Sequence, residues 1–123
     1  FPNSLEMIAA LKTIEILERE KVCDVIWERG EKLLREMKEV AKESKLPVTI
    51  SGIPPMPYIT FDAAPDKKYK ERRKVFYTGA IRRGLFMQPY HHSYIAYRHT
   101  EEDLRRIVEI TRESLADVLK TVG

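Results

Sequence analysis

One cysteine, Cys23, is all that the 123 residues contain, which excludes an internal disulfide and any multi-cysteine metal site. Five glycines are scattered and never form a phosphate-cradling loop, and no serine or cysteine stands in a nucleophile motif. No stretch approaches the roughly 18 uncharged residues of a membrane span, and neither a signal peptide nor a lipidation motif is visible. No methionine stands at residue 1: the chain opens with the helix-starting segment FPNSLEMIAA, which reads as the cut edge of a longer protein.

What is present is ordinary for a globular domain. Apolar residues make up 43% and charged residues 33%, enough for one compact core. A single domain of 14.4 kDa is expected to expose about 6,800 Å² when folded. The 22 Lys and Arg interleave with 19 Asp and Glu for a net charge of +3, a solvated pattern that argues against a nucleic-acid partner. Cys23, beside Val22, Val25 and Ile26, is expected to be a small buried apolar residue. Lack of disulfides and a Glu/Lys-rich surface suit a cytoplasmic protein.

Periodicity places a first helix after Asn3 or Ser4, either of which can cap it, with Pro2 just outside. Its apolar residues form two stripes, Met7, Ala10, Leu11, Ile14 and Leu17 on one side and Leu5, Ile8, Ala9 and Ile16 on another. A helix apolar nearly all round expects cover from two directions. A second helix spans about 22–44, with Gly30 inside its buried stripe, where only close approach of another element compensates the helix-weakening glycine. A strand is expected at 48–51, then a proline-stiffened connection at 52–57 that does not continue a ladder, then a strand at 58–61. A helix over 67–83 turns Tyr69, Phe76, Ala80 and Ile81 inward and ends at Gly84. Short strands are expected at 85–88 and 93–97. A last helix capped by Thr100 carries the core stripe Leu104, Ile107, Val108, Thr111, Leu115, Val118 and Leu119. The order ααββαββα, with paired strands and short connections, predicts an α+β two-layer sandwich: a small antiparallel sheet of about four strands covered by helices.

Chemistry-bearing residues concentrate in one segment. Tyr90, His91 and His92 precede His99, but adjacent strand side chains point to opposite faces, so His91 and His92 read as a solvated or interface-facing pair, not a shared metal site. His99 reads as the residue before a helix cap. Arg72, Arg73, Arg82 and Arg83 are candidates for an anion site, weakened because the last two lie at a helix C-terminus, where the dipole already favours cations. Arg98 is a candidate for a substrate carboxylate.

The order of FPNSLEMIAA, Gly30, the Ser51 to Met56 connection, Arg82 to Pro89 and the His99 to Leu104 helix start resembles the C-terminal small domain of class III pyridoxal-phosphate aminotransferases, especially the glutamate-1-semialdehyde aminomutase branch. That resemblance implies a homodimeric enzyme whose cofactor, pyridoxal phosphate, is bound by a lysine and an aspartate in a large domain upstream of this chain. None of the catalytic or cofactor-binding residues maps onto it. Asn3 and Ser4 would follow a turn that touches the phosphate of the neighbouring subunit's cofactor. Gln88, Tyr90, His91, His92 and Arg98 would face the substrate, with loop 88–93 at its entrance, although Arg98 is off the register of the arginine some members use. The chain alone would bind no cofactor, be inactive, and self-associate through Leu5, Ile8, Ala9 and Ile16. The alternative is a stand-alone α+β interaction module.

Overall fold

A computed structural model describes residues 3–123; Phe1 and Pro2, and with them the expected proline before the first helix, lie outside the described residues. The elements are α1 (Ser4–Arg19), α2 (Val22–Ser44), β1 (Val48–Ile53), β2 (Met56–Phe61), α3 (Tyr69–Arg82) and α4 (Glu101–Val122). Helix starts follow local chemistry. Asn3 Oδ1 accepts from the Glu6 N–H at 2.9 Å and caps α1. Thr100 Oγ1 accepts from the Asp103 N–H at 3.1 Å while the Asp103 carboxylate accepts from the Thr100 N–H at 2.7 Å, a reciprocal capping box on α4. Those bonds hold the Asp103 carboxyl below its ordinary pKa. At the other end of α3, Gly84 takes φ +93°, with its N–H bonded to Ile81 O and the Leu85 N–H to Ala80 O, so the glycine supplies the left-handed turn that stops the helix.

The core lies between the hairpin and three helices. Leu33, Met37 and Val40 of α2, Ile50 of β1, Ile59 and Phe61 of β2, Phe76 and Tyr77 of α3, and Leu104, Leu115 and Val118 of α4 are all buried in one cluster. Burial pushes the Tyr77 phenol up to about 12. Phe76 packs edge-on to Tyr77 at 5.2 Å between ring centroids and lies 5.4 Å from Phe61, joining α3 to the sheet.

The fold is α+β, but its sheet has two strands, not four. The hairpin is longer than the sequence suggests: pairing runs from Val48↔Phe61 through Gly52↔Pro57 to Ile53↔Met56, closed by Pro54 and Pro55. Pro57 is tolerated because its carbonyl points outward, accepting from the Ser93 N–H at 2.9 Å; its nitrogen faces the same outer side, so the missing donor costs the β1–β2 ladder nothing. The same prolines explain the missing strands. Residues 93–95 lie along the outer edge of β2, giving the Ser93 N–H to Pro57 O and the Ile95 N–H to Pro55 O, each at 2.9 Å. Neither proline has an N–H to return, so half of any ladder is absent. Upstream, Pro89 and the left-handed Tyr90, φ +63°, prevent an extended run from 85 into 93.

Several burial expectations also change. Cys23 is exposed, because Val22 takes the inward direction and the next residue lies about 100° round the helix. Ile81 and Leu119 are exposed, and Ile107 and Val108 are half-buried, while Ile110 and Ser114, absent from the expected stripe, are buried in α4. The face of α4 is rotated toward α3, against which it packs, as well as toward α2.

At Gly30 the hairpin turn comes into direct contact with α2. A Cβ there would lie 2.1 Å from Pro54 O. Alanine in place of a mid-helix glycine normally stabilises by about 1 kcal/mol. Gly30→Ala is expected instead to destabilise by about 1–3 kcal/mol, because the hairpin turn must move. Leu33→Ala is expected to cost about 2–5 kcal/mol, with half-buried Ile107→Ala costing less than Leu33→Ala. Urea unfolding midpoints check all three; a Gly30→Ala protein more stable than the parent contradicts the packing described.

Candidate functional site

Between α2, β2 and the 85–95 segment lies a cleft of about 370 Å³, lined mainly by apolar groups that include Leu33, Met37, Ile59, Leu85 and Met87. Polar groups converge at its mouth: Gln88, His91, His92, Ser93, Tyr94 and His99. An apolar trough with a few polar groups is the usual build of a small-molecule site. Its wall is positioned by the two hydrogen bonds from Ser93 and Ile95 to the proline edge of β2.

The histidines are closer than strand geometry implies. The irregular backbone brings the His91 and His92 rings to 4.8 Å between centroids. His91 Nδ1 donates to the His92 carbonyl at 2.8 Å, and His92 Nε2 shares a hydrogen bond with Tyr94 Oη at 2.9 Å. His99 Nδ1 accepts from the Ala96 N–H at 2.9 Å, a local turn closure. Among the described residues no group of three or more His, Cys, Asp or Glu is arranged to hold a metal ion.

Gln88, His91 and His92 therefore meet at one cleft, as their sequence proximity implies. Tyr90 does not line it: its ring stacks under Arg73, whose guanidinium carbon lies 3.9 Å from the ring centroid. Arg98 is exposed and lies outside the lining. Asn3 serves as the α1 cap and Ser4 is the exposed first residue of that helix; neither lines the cleft. Sequence reasoning missed Tyr94, which fixes His92, and the pairing of Arg73 with Tyr90, for which seventeen residues of separation leave no pattern to read.

The four candidate anion-site arginines divide sharply. Arg72 is buried, its Nη1 donating to Asp66 Oδ1 at 3.1 Å and its Nη2 pairing with Asp66 Oδ2. That pairing holds the Asp66 carboxyl below its ordinary value. Arg83 bridges Glu113 at 2.8 Å and Asp117 at 2.7 Å, clamping α3 to α4. Arg82 is exposed. Arg73 alone of the four turns toward the loop that borders the cleft.

The chain is 53% identical over 120 residues to a 3-aminobutyryl-CoA aminotransferase of Cloacimonas acidaminovorans, covering 98% of this chain and 29% of that protein. It is 28% identical over 131 residues to a glutamate-1-semialdehyde 2,1-aminomutase of Desulfitobacterium hafniense, again covering 98% of this chain and 29% of the relative. The fold superposes on the solved structure of the PLP internal aldimine form of the Sphingopyxis sp. MTA144 FumI protein with a TM-score of 0.81, over 93% of this chain and 27% of that one, at 23% identity. These matches fall on the C-terminal portion of pyridoxal-phosphate-dependent aminotransferases and aminomutases. The chain spans about 29% of the length of the curated relatives it matches. No protein-family model matches it.

The residues of this C-terminal portion do not fit the cofactor itself. Every lysine of the chain is exposed and none lines the cleft, so none has the desolvated surroundings that activate a Schiff-base lysine. Mixed with pyridoxal phosphate, the 123-residue chain is expected to give only the scattered absorbance of surface lysines. Borohydride trapping followed by peptide mapping checks this; one stoichiometric adduct at a single lysine contradicts it.

Proposed function

We propose that this chain is the small domain of a pyridoxal-phosphate-dependent aminotransferase that exchanges an amino group for a carbonyl on a coenzyme A thioester. The observation that carries this reading is the 53% identity to the 3-aminobutyryl-CoA aminotransferase, against 28% to the aminomutases, over nearly the whole chain. In this reading a large domain upstream supplies the lysine and aspartate that hold the cofactor, which acts as the electron sink when bound. The small domain closes over the active site and presents residues 88–93 at the substrate entrance, with Gln88, His91 and His92 toward the substrate.

The first helix supports the same reading. All of α1 from Ser4 to Arg19 is exposed, with Leu5 77%, Ile8 64% and Leu11 68% accessible. Apolar surface of this extent is rarely kept by a monomer and marks a contact face. The large domain is its natural cover, and in a homodimer Asn3 and Ser4 would lie near the partner subunit's cofactor phosphate. Deprived of that cover, the isolated chain self-associates through Leu5, Ile8, Ala9 and Ile16. No described helix is long and apolar enough to cross a membrane. A cytoplasmic location goes with the aminotransferase reading itself.

The complete polypeptide that carries this chain, purified with its cofactor, is expected to transfer the amino group of 3-aminobutyryl-CoA to a 2-oxo acid and to leave glutamate-1-semialdehyde unchanged. Following both substrates chromatographically checks the reading. Conversion of the semialdehyde without turnover of the thioester contradicts it.

A further inference from the structure

The basic side chains are not interleaved everywhere. From Lys67 to Lys74 the sequence reads KKYKERRK, six cations against the one anion Glu71. Arg72 is consumed by Asp66. Lys70, Arg73 and Lys74 stand at i, i+3 and i+4 on α3 and therefore share a face. None of these three forms an ion pair among the described residues. A solvated helix face ordinarily alternates signs; this one is uncompensated and gathers positive potential at one place.

The face also adjoins the cleft. Arg73 stacks on Tyr90, and the next two residues, His91 and His92, line the cleft mouth. Tyr77, one turn beyond Arg73, is near enough for the Arg73 charge to oppose part of the rise that burial gives its phenol; Tyr58 lines the cleft itself. The stacking fixes the plane of the Arg73 guanidinium while leaving its N–H edge available, the arrangement in which arginine forks a phosphate oxygen pair. Tyr90 is held in a left-handed conformation that a bulky residue seldom adopts, so the loop keeps this ring against Arg73 at some conformational cost. Beyond the stack, Phe86 is 81% exposed at the rim of the cleft. Cations on α3, the Tyr90 ring stacked on Arg73, exposed Phe86 and the apolar trough thus belong to one region, joined through the 86–92 segment. A ligand matching that region has phosphates at one end and a neutral, largely apolar arm at the other.

We propose that the Lys70–Arg73–Lys74 face, with Tyr90 stacked on Arg73, binds the phosphates of a coenzyme A thioester whose acyl arm runs past Phe86 into the cleft. This rests on the thioester substrate class proposed above and assigns its recognition to α3 of the small domain. A free 3-amino acid, without phosphates, would gain nothing from this face.

Coenzyme A is the probe, titrated into the complete cofactor-loaded polypeptide by calorimetry. The variant Lys70→Ala/Arg73→Ala/Lys74→Ala is expected to bind it roughly tenfold more weakly or worse, and to show a similar rise in KM for 3-aminobutyryl-CoA. Lys74→Glu alone, an exposed change that leaves the Arg73–Tyr90 stack in place, is expected to weaken binding in the same direction. The charge-matched Lys38→Ala/Lys42→Ala/Lys45→Ala variant at the C-terminal end of α2 and its cap is expected to bind like the parent, and pantetheine, which lacks the phosphates, is expected not to distinguish any of them. Parent-like affinity in both α3 variants overturns the proposal, as does displacement of coenzyme A by ATP at concentrations where coenzyme A itself competes, which makes the face a general polyanion surface. A protein that turns over the thioester with KM unaffected by the α3 variants refutes this site alone. One that binds coenzyme A through α3 but does not turn over the thioester refutes the function reading and leaves the site standing.

Discussion

The close approach of the hairpin turn to α2 at Gly30 is the constraint from which the site follows. Because no side chain stands there, Pro54 and Pro55 pack directly against the helix backbone. That contact fixes the hairpin, and the outer edge of the hairpin then offers the Pro55 and Pro57 carbonyls to the Ile95 and Ser93 N–H groups. Those two bonds place the segment that carries His91 and His92 along the cleft. A shift of the turn would therefore pass by hydrogen bonds to the cleft mouth, so the glycine that weakens α2 locally is tied to the geometry of the site. Prolines at alternate positions also let the segment dock on the sheet edge without extending the sheet. Its side chains are thereby freed from strand alternation, and the two imidazoles can lie side by side.

Local signals were legible where they act within one element. The stripe of Leu33, Met37 and Val40, the Thr100–Asp103 capping box and the Gly84 helix stop each follow from a few neighbouring residues, and each appears where periodicity and cap chemistry place it. The resemblance carried by the order of these elements is supported by the relatives. What was not legible depends on partners distant in sequence. The segments at 85–88 and 93–97 have strand-like composition, yet 93–95 meet the edge of the hairpin where Pro55 and Pro57 have no N–H to return, and Pro89 with left-handed Tyr90 breaks the run before them. Cys23 looks apolar and inward in its own window, but Val22 takes the inward direction of α2; Ile81 and Leu119 look inward too, but the packing of α3 on α4 buries others, including Ile110 and Ser114, instead. In the site, proximity along the chain was enough to group Gln88, His91 and His92. It was not enough to separate Arg73 from Arg72 and Arg83, since that depends on which carboxylates the fold brings to each guanidinium.

The surface of the chain points beyond the chain. It exposes 8433 Å², against about 6,800 Å² for a compact monomer of this mass, and not one residue of α1 is buried. A helix of 16 residues with two apolar stripes and no buried residue contributes little to its own stability, since most helical stability in proteins comes from packing of an apolar face. Its curated relatives are more than three times as long, and in the proposed reading α1 is the face that the rest of such a protein covers. The most direct measurement is amide hydrogen exchange of residues 4–19, compared between the 123-residue chain at concentrations too low for self-association and the complete polypeptide. The account predicts exchange close to that of an unprotected helix in the short chain and protection comparable to the α2 core in the complete one. Equal and weak protection in both would contradict the claim that α1 is a covered interface.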